Sequence, residues 1–186
     1  MKKAAIIMAP GFEEGETLTI VDIIRRANLQ CDIFGFDKVV QGGHNICVQS
    51  DQLLSEAIID YDMIILPGGY DGAMNMKNSE ELINILHKMN EKQKYICAMC
   101  AAPIVLEKAN LLVDKNYTAY IGYDQKIKQG RYLEDIVVID GNIVTSRGPA
   151  TAYAFAYKLV DLLGGDSLAV KKRMIYFNAF DVKEVK

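Results

Sequence analysis

The sequence predicts an α/β protein built on a mostly parallel sheet with helices on both faces. Short continuous apolar runs, each long enough for one buried strand, alternate with longer segments whose apolar residues have helical spacing. Two of the runs end in Pro-Gly dipeptides, which stop a strand and open a loop. This alternation is typical of a parallel sheet covered on both faces. The 186 residues contain no repeat, linker or low-complexity segment, so we expect a single domain over 1–186.

The predicted elements differ in how they are recognised. The helix over 12–28 has an inward-facing stripe at helical spacing, formed by Thr17, Ile20, Val21 and Ile24. Ser79 is the predicted N-cap of a later helix, and the turn residues at 140–142 predict a hairpin. In chain order the predictions are strand 4–9, helix 12–28, strand 31–36, hairpin 39–48, strand 63–66, helix 79–91, strand 95–99, helix 103–110, strand 118–121, hairpin 136–145, helix 149–163 and helix 166–175.

Composition and charge exclude several classes of function. The net charge is −3 and no basic stripe is present, which does not support nucleic-acid binding. No apolar segment approaches the roughly 18 residues that span a bilayer, and there is no signal-peptide pattern. We therefore expect a cytoplasmic protein with neither nucleic acid nor membrane as partner. In that compartment the four cysteines are expected to be free thiols.

The stretch 95–103 is an apolar strand that turns abruptly into a helix, with Cys100 at the corner. Pro103 lies in the first helical turn, where its missing N–H costs nothing. Unpaired N–H groups of that turn and the helix dipole favour a thiolate, so this position predicts a lowered pKa for Cys100. The same pattern also fits a buried structural cysteine.

Glu16 is the second candidate because it precedes Ile20 by four residues and lies on the buried stripe of its helix. A carboxyl group there should have a raised pKa and could exchange a proton with a thiol. The alternative is that Glu16 is one of several acids at a helix N-terminus. Gly68 and Gly69 follow a strand, where backbone N–H groups could bind an oxyanion, although such pairs are also common in turns.

Other candidates are weaker. Cys97 and Cys100 have dithiol spacing, but in a strand their Cα atoms would be about 10 Å apart, beyond the roughly 7 Å limit for a disulfide. We therefore assign Cys97 to the core, and Cys31 and Cys47 to strand packing. His44 lies in a predicted loop and could border the site or simply form a turn. The sequence has no metal-ligand spacing, P-loop or dinucleotide fingerprint.

With these residues placed, the sequence resembles the ThiJ/PfpI superfamily, in particular its Parkinsonism-associated deglycase and YajL-like branch. Each matching segment is weak alone, but together they occur in family order over nearly the whole chain. The segments are GFEEGET at 11–17, VDIIRRA at 21–27, LPGG at 66–69 with Gly72 and Ala73, CAAP at 100–103 and TSRGP at 145–149.

The resemblance implies a flavodoxin-like three-layer sandwich, usually a homodimer, that works without cofactor or metal. It implies that Cys100 is the reactive nucleophile on a strained elbow and that Glu16 is its protonated partner. The backbone of Gly69 and Ala101 would bound an oxyanion-like pocket. The residues implied to border that pocket are Gly68, His44, Tyr120, Arg147 and Pro149.

The sequence departs from the family pattern near the cysteine. Tyr120 stands where the family commonly has a histidine, and tyrosine is a poor base at neutral pH. This departure argues against a protease or a hydrolase that needs a Cys–His pair. The usual glycine after Cys-Ala is Ala102, and His44 stands where many relatives have an arginine.

Two functions follow from these residues. The first is an enzyme that converts reactive dicarbonyls such as methylglyoxal, or repairs glycated groups, through Cys100 with Glu16 moving protons. The second is an oxidative-stress sensor or chaperone whose Cys100 is oxidised to the sulfinate, without dedicated turnover. A hydrolase or a role in thiamine-precursor metabolism ranks below both, because neither a base nor a phosphate cradle is visible.

Overall fold

The structure is a computed structural model that describes residues 2–177 and 179. Its strands are β1 (Lys3–Met8), β2 (Gln30–Gly35), β3 (Val39–Gln41), β4 (Cys47–Gln49), β5 (Gln52–Leu53), β6 (Met63–Leu66), β7 (Tyr95–Met99), β8 (Asn116–Tyr117), β9 (Arg131–Tyr132), β10 (Val137–Asp140) and β11 (Ile143–Ser146). Its α-helices are α1 (Glu14–Arg26), α2 (Tyr70–Lys77), α3 (Glu80–Glu91), α4 (Pro103–Lys108), α5 (Ala152–Leu162) and α6 (Ser167–Arg173). Two 3-10 helices span Glu56–Asp60 and Pro149–Thr151.

The main sheet has seven strands in the order β10-β11-β7-β6-β1-β2-β5. All neighbours pair in parallel except β10 and β11, which form the antiparallel hairpin predicted around Gly141. The three central strands β1, β6 and β7 are the continuous apolar runs of the sequence, and nearly all of their side chains are buried. The predicted mostly parallel sheet is therefore confirmed.

Helices cover the sheet in two groups, which completes the flavodoxin-like sandwich. In one group α1 packs on α5, and α5 contacts α6. In the other group α2 contacts both α3 and α4. The predicted stripe of α1 is buried, and Ser79 caps α3 by accepting a hydrogen bond from the Leu82 N–H. None of the helices in the described part of the chain has both the length and the apolar character that a bilayer crossing needs.

The predicted strand over 118–121 is wrong. Its backbone instead bonds to groups outside any strand ladder: the Thr118 N–H donates to Thr145 Oγ1, and the Tyr120 N–H donates to the Cys100 carbonyl. The sheet offers this segment no place beside β7, because β6 and β11 already flank that strand. Residues 118–121 therefore form a loop that is hydrogen-bonded to the Cys100 backbone through Tyr120.

Two helices begin later than predicted, and a third was not predicted. Helix α1 begins at Glu14 rather than residue 12, because Phe12 closes a turn on the Ala9 carbonyl. The helix predicted over 149–163 starts as a 3-10 turn and becomes α-helical at Ala152. Helix α2 was not predicted, since its eight residues include a glycine and have weak apolar periodicity.

Candidate active site

The site lies where the strand order reverses, between β1 and β6. Chain order runs from β1 outward to β2 and then returns to β6 on the other side of β1. In open α/β sheets such a reversal leaves a crevice at the carboxyl ends of the strands. The loops after β1, β6 and β7 meet at this edge and bring together Glu13, Gly68, Gly69 and Cys100.

Cys100 occupies a strained position at the end of β7. Its φ is 59°, in the left-handed region that non-glycine residues rarely adopt. Two backbone hydrogen bonds hold it there: its N–H donates to the Ser146 carbonyl at 3.1 Å, and its carbonyl accepts from the Tyr120 N–H at 2.9 Å. Pro103 then begins α4. The predicted sharp turn from strand to helix is thus present, and only 8% of Cys100 is exposed.

Glu16 is fully buried on α1, as its position on the apolar stripe predicts. Its Oε2 accepts a hydrogen bond from the Gly68 N–H at 2.7 Å. Its Oε1 is also buried and has no hydrogen-bond partner among the described residues. A buried oxygen without a partner is rare and costly, so Oε1 is open to a hydrogen bond that the described residues do not supply.

Gly68 separates the thiol from the carboxyl group and has no space for a side chain. A Cβ at this residue would lie 2.5 Å from Cys100 Cβ, 2.9 Å from Cys100 Sγ and 2.7 Å from Glu16 Oε2. Gly69 approaches the loop after β1 equally closely, since a Cβ there would lie 2.2 Å from the Gly11 carbonyl oxygen. Its φ of 88° also favours glycine. The two glycines therefore allow Cys100 and Glu16 to meet.

The pKa of Glu16 is raised from 4.5 to about 7, chiefly because burial disfavours the carboxylate. The Gly68 N–H and the Cys100 side chain lower this pKa, and the charge of Glu13 raises it further. Near neutral pH both protonation states of the carboxyl group are therefore accessible. A group with such a pKa can both accept and return a proton.

The pKa of Cys100 is raised, and the prediction of a lowered thiol pKa is wrong for the resting site. Burial is the largest cause, and the charge of Glu16 adds to it. The N–H groups of Gly69 and Ala101 face the sulfur and lower the pKa, but they do not offset those two effects. The direction of this shift favours the thiol form of Cys100 in the resting site.

A cavity of about 410 Å³ opens on Cys100. Tyr120 and Pro149 line it as expected, together with Gly69 and Ala101. Gly68 lies behind the thiol rather than on the cavity wall.

Two more residues expected at the pocket border also lie outside this cavity, contrary to the expectation. Arg147 lines a neighbouring cavity, and its guanidinium bonds to Glu134 at 2.9 Å. His44 contacts the acids at the start of α1 instead of the pocket.

His44 forms an ion pair with two glutamates of the loop and helix that carry Glu16. Its Nδ1 lies 2.9 Å from Glu14 Oε2 and 3.7 Å from Glu13 Oε1. The hydrogen bond to Glu14 is the main cause that raises the pKa of His44. The ligand atoms of the three side chains lie within 4.8 Å of one another, a grouping that sequence spacing did not indicate. The hydrogen bonds from His44 and Ile46 to the Glu14 carboxylate account for this arrangement.

The remaining cysteines do not contribute to the site. All four cysteines are free thiols. Cys97 and Cys31 are buried in β7 and β2, as predicted, and burial raises the pKa of both. Cys47 is exposed on β4, so its assignment to strand packing is wrong.

Sequence reasoning missed five residues that line the Cys100 cavity: Glu13, Tyr70, Ile121, Tyr123 and Lys126. Glu13 and Tyr70 directly follow the loops after β1 and β6, so their position relative to the strand ends could have indicated them. Tyr123 and Lys126 come from the loop beyond Tyr120, where no motif marks them. Lys126 Nζ lies 4.4 Å from the centre of the Tyr123 ring, a cation–π contact that places a positive charge at the cavity.

The fold and the site define a class: α/β proteins in which a buried cysteine, on a sharp strand-to-helix turn, faces a protonatable glutamate from the first helix. The chain belongs to the DJ-1/PfpI family, whose family model matches residues 2–162. The family expected from the sequence motifs is therefore confirmed.

Several similar proteins match this chain over nearly their whole length. The chain is 35% identical to Protein dj-1beta of Drosophila melanogaster over 88% of this chain and 90% of that protein. The crystal structure of Drosophila DJ-1beta has a TM-score of 0.90, at 34% identity, with 94% and 98% coverage. Deglycase PfpI of Pyrococcus furiosus is 31% identical over 87% of this chain and 99% of its own. The structure of oxidized Toxoplasma gondii DJ-1 has a TM-score of 0.89, at 29% identity, with 95% and 100% coverage.

Proposed function

We propose that this protein is an enzyme that converts reactive dicarbonyls such as methylglyoxal, or the glycated groups that they form, by covalent catalysis at Cys100. One observation carries the proposal. The Cys100 sulfur and Glu16 Oε2 lie 2.9 and 2.7 Å from the same point beside Gly68, within a site that has an open cavity. The name of the similar deglycase from Pyrococcus furiosus supports the same class of chemistry.

In the first step, the thiol attacks the aldehyde carbon of the substrate. A bond forms between Cys100 Sγ and that carbon, and the thiol proton passes to the neighbouring Glu16 carboxylate. The aldehyde oxygen takes the negative charge and is stabilised by the N–H groups of Gly69 and Ala101. Return of the proton to this oxygen gives a hemithioacetal.

The second stage is an internal oxidation and reduction, so it needs no cofactor. The former aldehyde carbon loses its proton to Glu16, and an enediolate forms with its negative charge on the neighbouring oxygen. The hydroxyl proton of the former aldehyde moves to that oxygen, and Glu16 returns its proton to the neighbouring carbon, which gives a thioester with a hydroxyl group. Water then cleaves the bond to Cys100 and releases a hydroxy acid, with the thiol restored. One carbon is oxidised and its neighbour is reduced, so no external electron acceptor enters the balance.

Turnover of methylglyoxal by the reduced protein tests this proposal. We expect consumption of methylglyoxal and formation of lactate, and we expect Cys100→Ser to abolish both. Glu16→Gln keeps the hydrogen bonding of the carboxyl group but cannot transfer a proton, so it should also abolish turnover. Cys47→Ser is the matched control, because Cys47 is an exposed thiol on β4 and should be dispensable. Full activity in either Cys100→Ser or Glu16→Gln would refute the mechanism.

The second candidate function is an oxidative-stress sensor or chaperone without dedicated turnover. The similar Toxoplasma gondii protein whose structure is described as oxidized favours it. Here peroxide oxidises Cys100 to the sulfinate, and Glu16 stabilises that group by a hydrogen bond. Absence of methylglyoxal turnover, together with a gain of two oxygen atoms confined to Cys100 under mild peroxide, would establish this function instead. Equal oxidation of Cys47 and Cys100 would argue against it.

We also propose that the chain forms a homodimer through the face that carries α1 and the β3–β4 hairpin. Leu18 on α1 and Ile46 in the hairpin turn are large apolar side chains exposed to 39% and 51%. The Ile46 N–H donates to Glu14, which places the turn against α1. Light scattering of Leu18→Asp, compared with the unaltered protein, tests this interface.

Because the cysteines are all free thiols, the cytoplasm remains the proposed location.

A further inference from the structure

A second cavity lies directly beside the one that opens on Cys100. It has a volume of about 260 Å³. The two cavities share three lining residues, Tyr120, Ile121 and Pro149. Ile121 is 74% exposed, although it is a large apolar side chain at the boundary between them. A molecule bound covalently at Cys100 could therefore extend across this boundary into the second cavity.

The chemistry of the second cavity differs from that of the first. Beyond the shared wall, Ile136 and Ala150 give it a largely apolar lining. Its one charged lining residue, Arg147, bonds to Glu134. The Cys100 cavity, by contrast, has a cation and an acid on its wall, Lys126 and Glu13. The polar part of a bound molecule therefore fits the first cavity, and an apolar part fits the second.

The size of the second cavity indicates how large that apolar part is. A cavity of about 150 Å³ lined by apolar residues is sufficient to bind benzene. The volume of about 260 Å³ therefore exceeds what the methyl group of methylglyoxal requires. A branched aliphatic group of the size of a leucine side chain would fill more of this space and bury more apolar surface.

We propose that the second cavity is a substrate subsite, and that the preferred substrates are α-oxoaldehydes with a branched aliphatic substituent. This inference rests on the proposed function of Cys100 and names the substrate class for that site. The aldehyde reacts at Cys100. The substituent extends past Tyr120, Ile121 and Pro149, which line both cavities, and lies against Ile136 and Ala150.

The kinetic test compares isobutylglyoxal with methylglyoxal. We expect kcat/KM for isobutylglyoxal to be about tenfold higher, the lower end of what burial of a leucine-sized group is worth. Ala150→Phe puts a large side chain into the cavity from an exposed position and should remove this preference. Ala57→Phe is the matched control, since Ala57 is also an exposed alanine in a 3-10 helix and lines neither cavity. An unchanged ratio in Ala150→Phe would overturn the subsite.

A second measurement tests the subsite without any turnover. N-cyclohexylmaleimide and N-ethylmaleimide react with thiols in the same way but differ in the size of the apolar substituent. We expect Cys100 to react faster with the cyclohexyl reagent, relative to the rates with glutathione, and Ala150→Phe to abolish the difference. Peptide-resolved mass spectrometry separates Cys100 from the exposed Cys47. If no dicarbonyl is turned over, the proposed function fails, and the maleimide ratio alone supports or overturns the subsite.

Discussion

Substitution of Gly68 by alanine should damage the site directly, because Gly68 lies between the two groups that we propose to react. The added Cβ would lie 2.5 Å from Cys100 Cβ, about 1 Å short of ordinary van der Waals contact. Neither neighbour can move freely. Cys100 is held by two backbone hydrogen bonds at a left-handed φ, and Glu16 is held by the Gly68 N–H. The contact must therefore be relieved by displacement of the thiol or of the carboxyl group.

Two magnitudes follow from this geometry. Overpacking of a rigid interior costs about 1–3 kcal/mol, so we expect Gly68→Ala to lower the free energy of unfolding by that amount. A displacement of about 1 Å at a reacting group costs about 100-fold in rate, so we expect a loss of that order in methylglyoxal turnover and in alkylation of Cys100. Denaturant unfolding measures the first effect, and the two rates measure the second.

Gly15→Ala is the matched control, because it changes the neighbour of Glu16 without entering the site. Gly15 is an exposed residue of α1, and a Cβ there would meet nothing within 4 Å. Gly15 is the second residue of α1 and its φ is not positive, so alanine should fit there without strain, and this variant should keep its stability and its rates. If Gly68→Ala has the stability and rates of the unaltered protein, the close approach of Cys100 and Glu16 is not what the reaction depends on.

Three further predictions concern titration and support of the site. The folded state holds the Glu16 proton with a pKa of about 7 against 4.5 when unfolded, so the free energy of unfolding should fall by about 3 kcal/mol as pH rises from below 4.5 to above 7. Urea unfolding at several pH values should show this dependence, and Glu16→Gln should lack it. The NMR titration midpoint of His44 should lie above 6.5 and fall in Glu14→Gln, because Glu14 is the main cause that raises its pKa. Ser146→Ala leaves the Ile136 carbonyl without the Ser146 hydroxyl that donates to it at 2.7 Å, so it should cost about 1–3 kcal/mol in unfolding free energy.

The parts of the fold that could be predicted from sequence depend on local patterns or on burial of a whole segment. The central strands are continuous apolar runs, and a strand that is buried on both faces needs that composition. Ser79 caps α3 through a hydrogen bond to a residue only three positions away. Glu16 could be placed on the buried face because its spacing from Ile20 is a property of one helix.

The features that could not be predicted depend on contacts between distant segments. Residues 118–121 have the β-branched and aromatic composition of a strand, but whether they pair depends on which strands already flank β7. The position of His44 depends on acids 30 residues away in sequence. The direction of the Cys100 pKa shift depends on burial by several loops and on the charge of Glu16, and neither is visible in the sequence around the cysteine.

The site conflicts with the stability of the fold that contains it, and this conflict supports a function. A non-glycine residue held in the left-handed region costs of order 1–3 kcal/mol, and Cys100 is such a residue. Ionisation of a buried Glu16 removes about 3 kcal/mol of unfolding free energy between acid and neutral pH. The free energy of unfolding of a domain is only about 5–15 kcal/mol, so the cost of these two features is large in comparison. Glycine at 100 would relieve the strain, and an apolar residue at 16 would remove the buried acid. Both destabilising residues meet at Gly68, beside an open cavity, which is the arrangement that the proposed reaction requires.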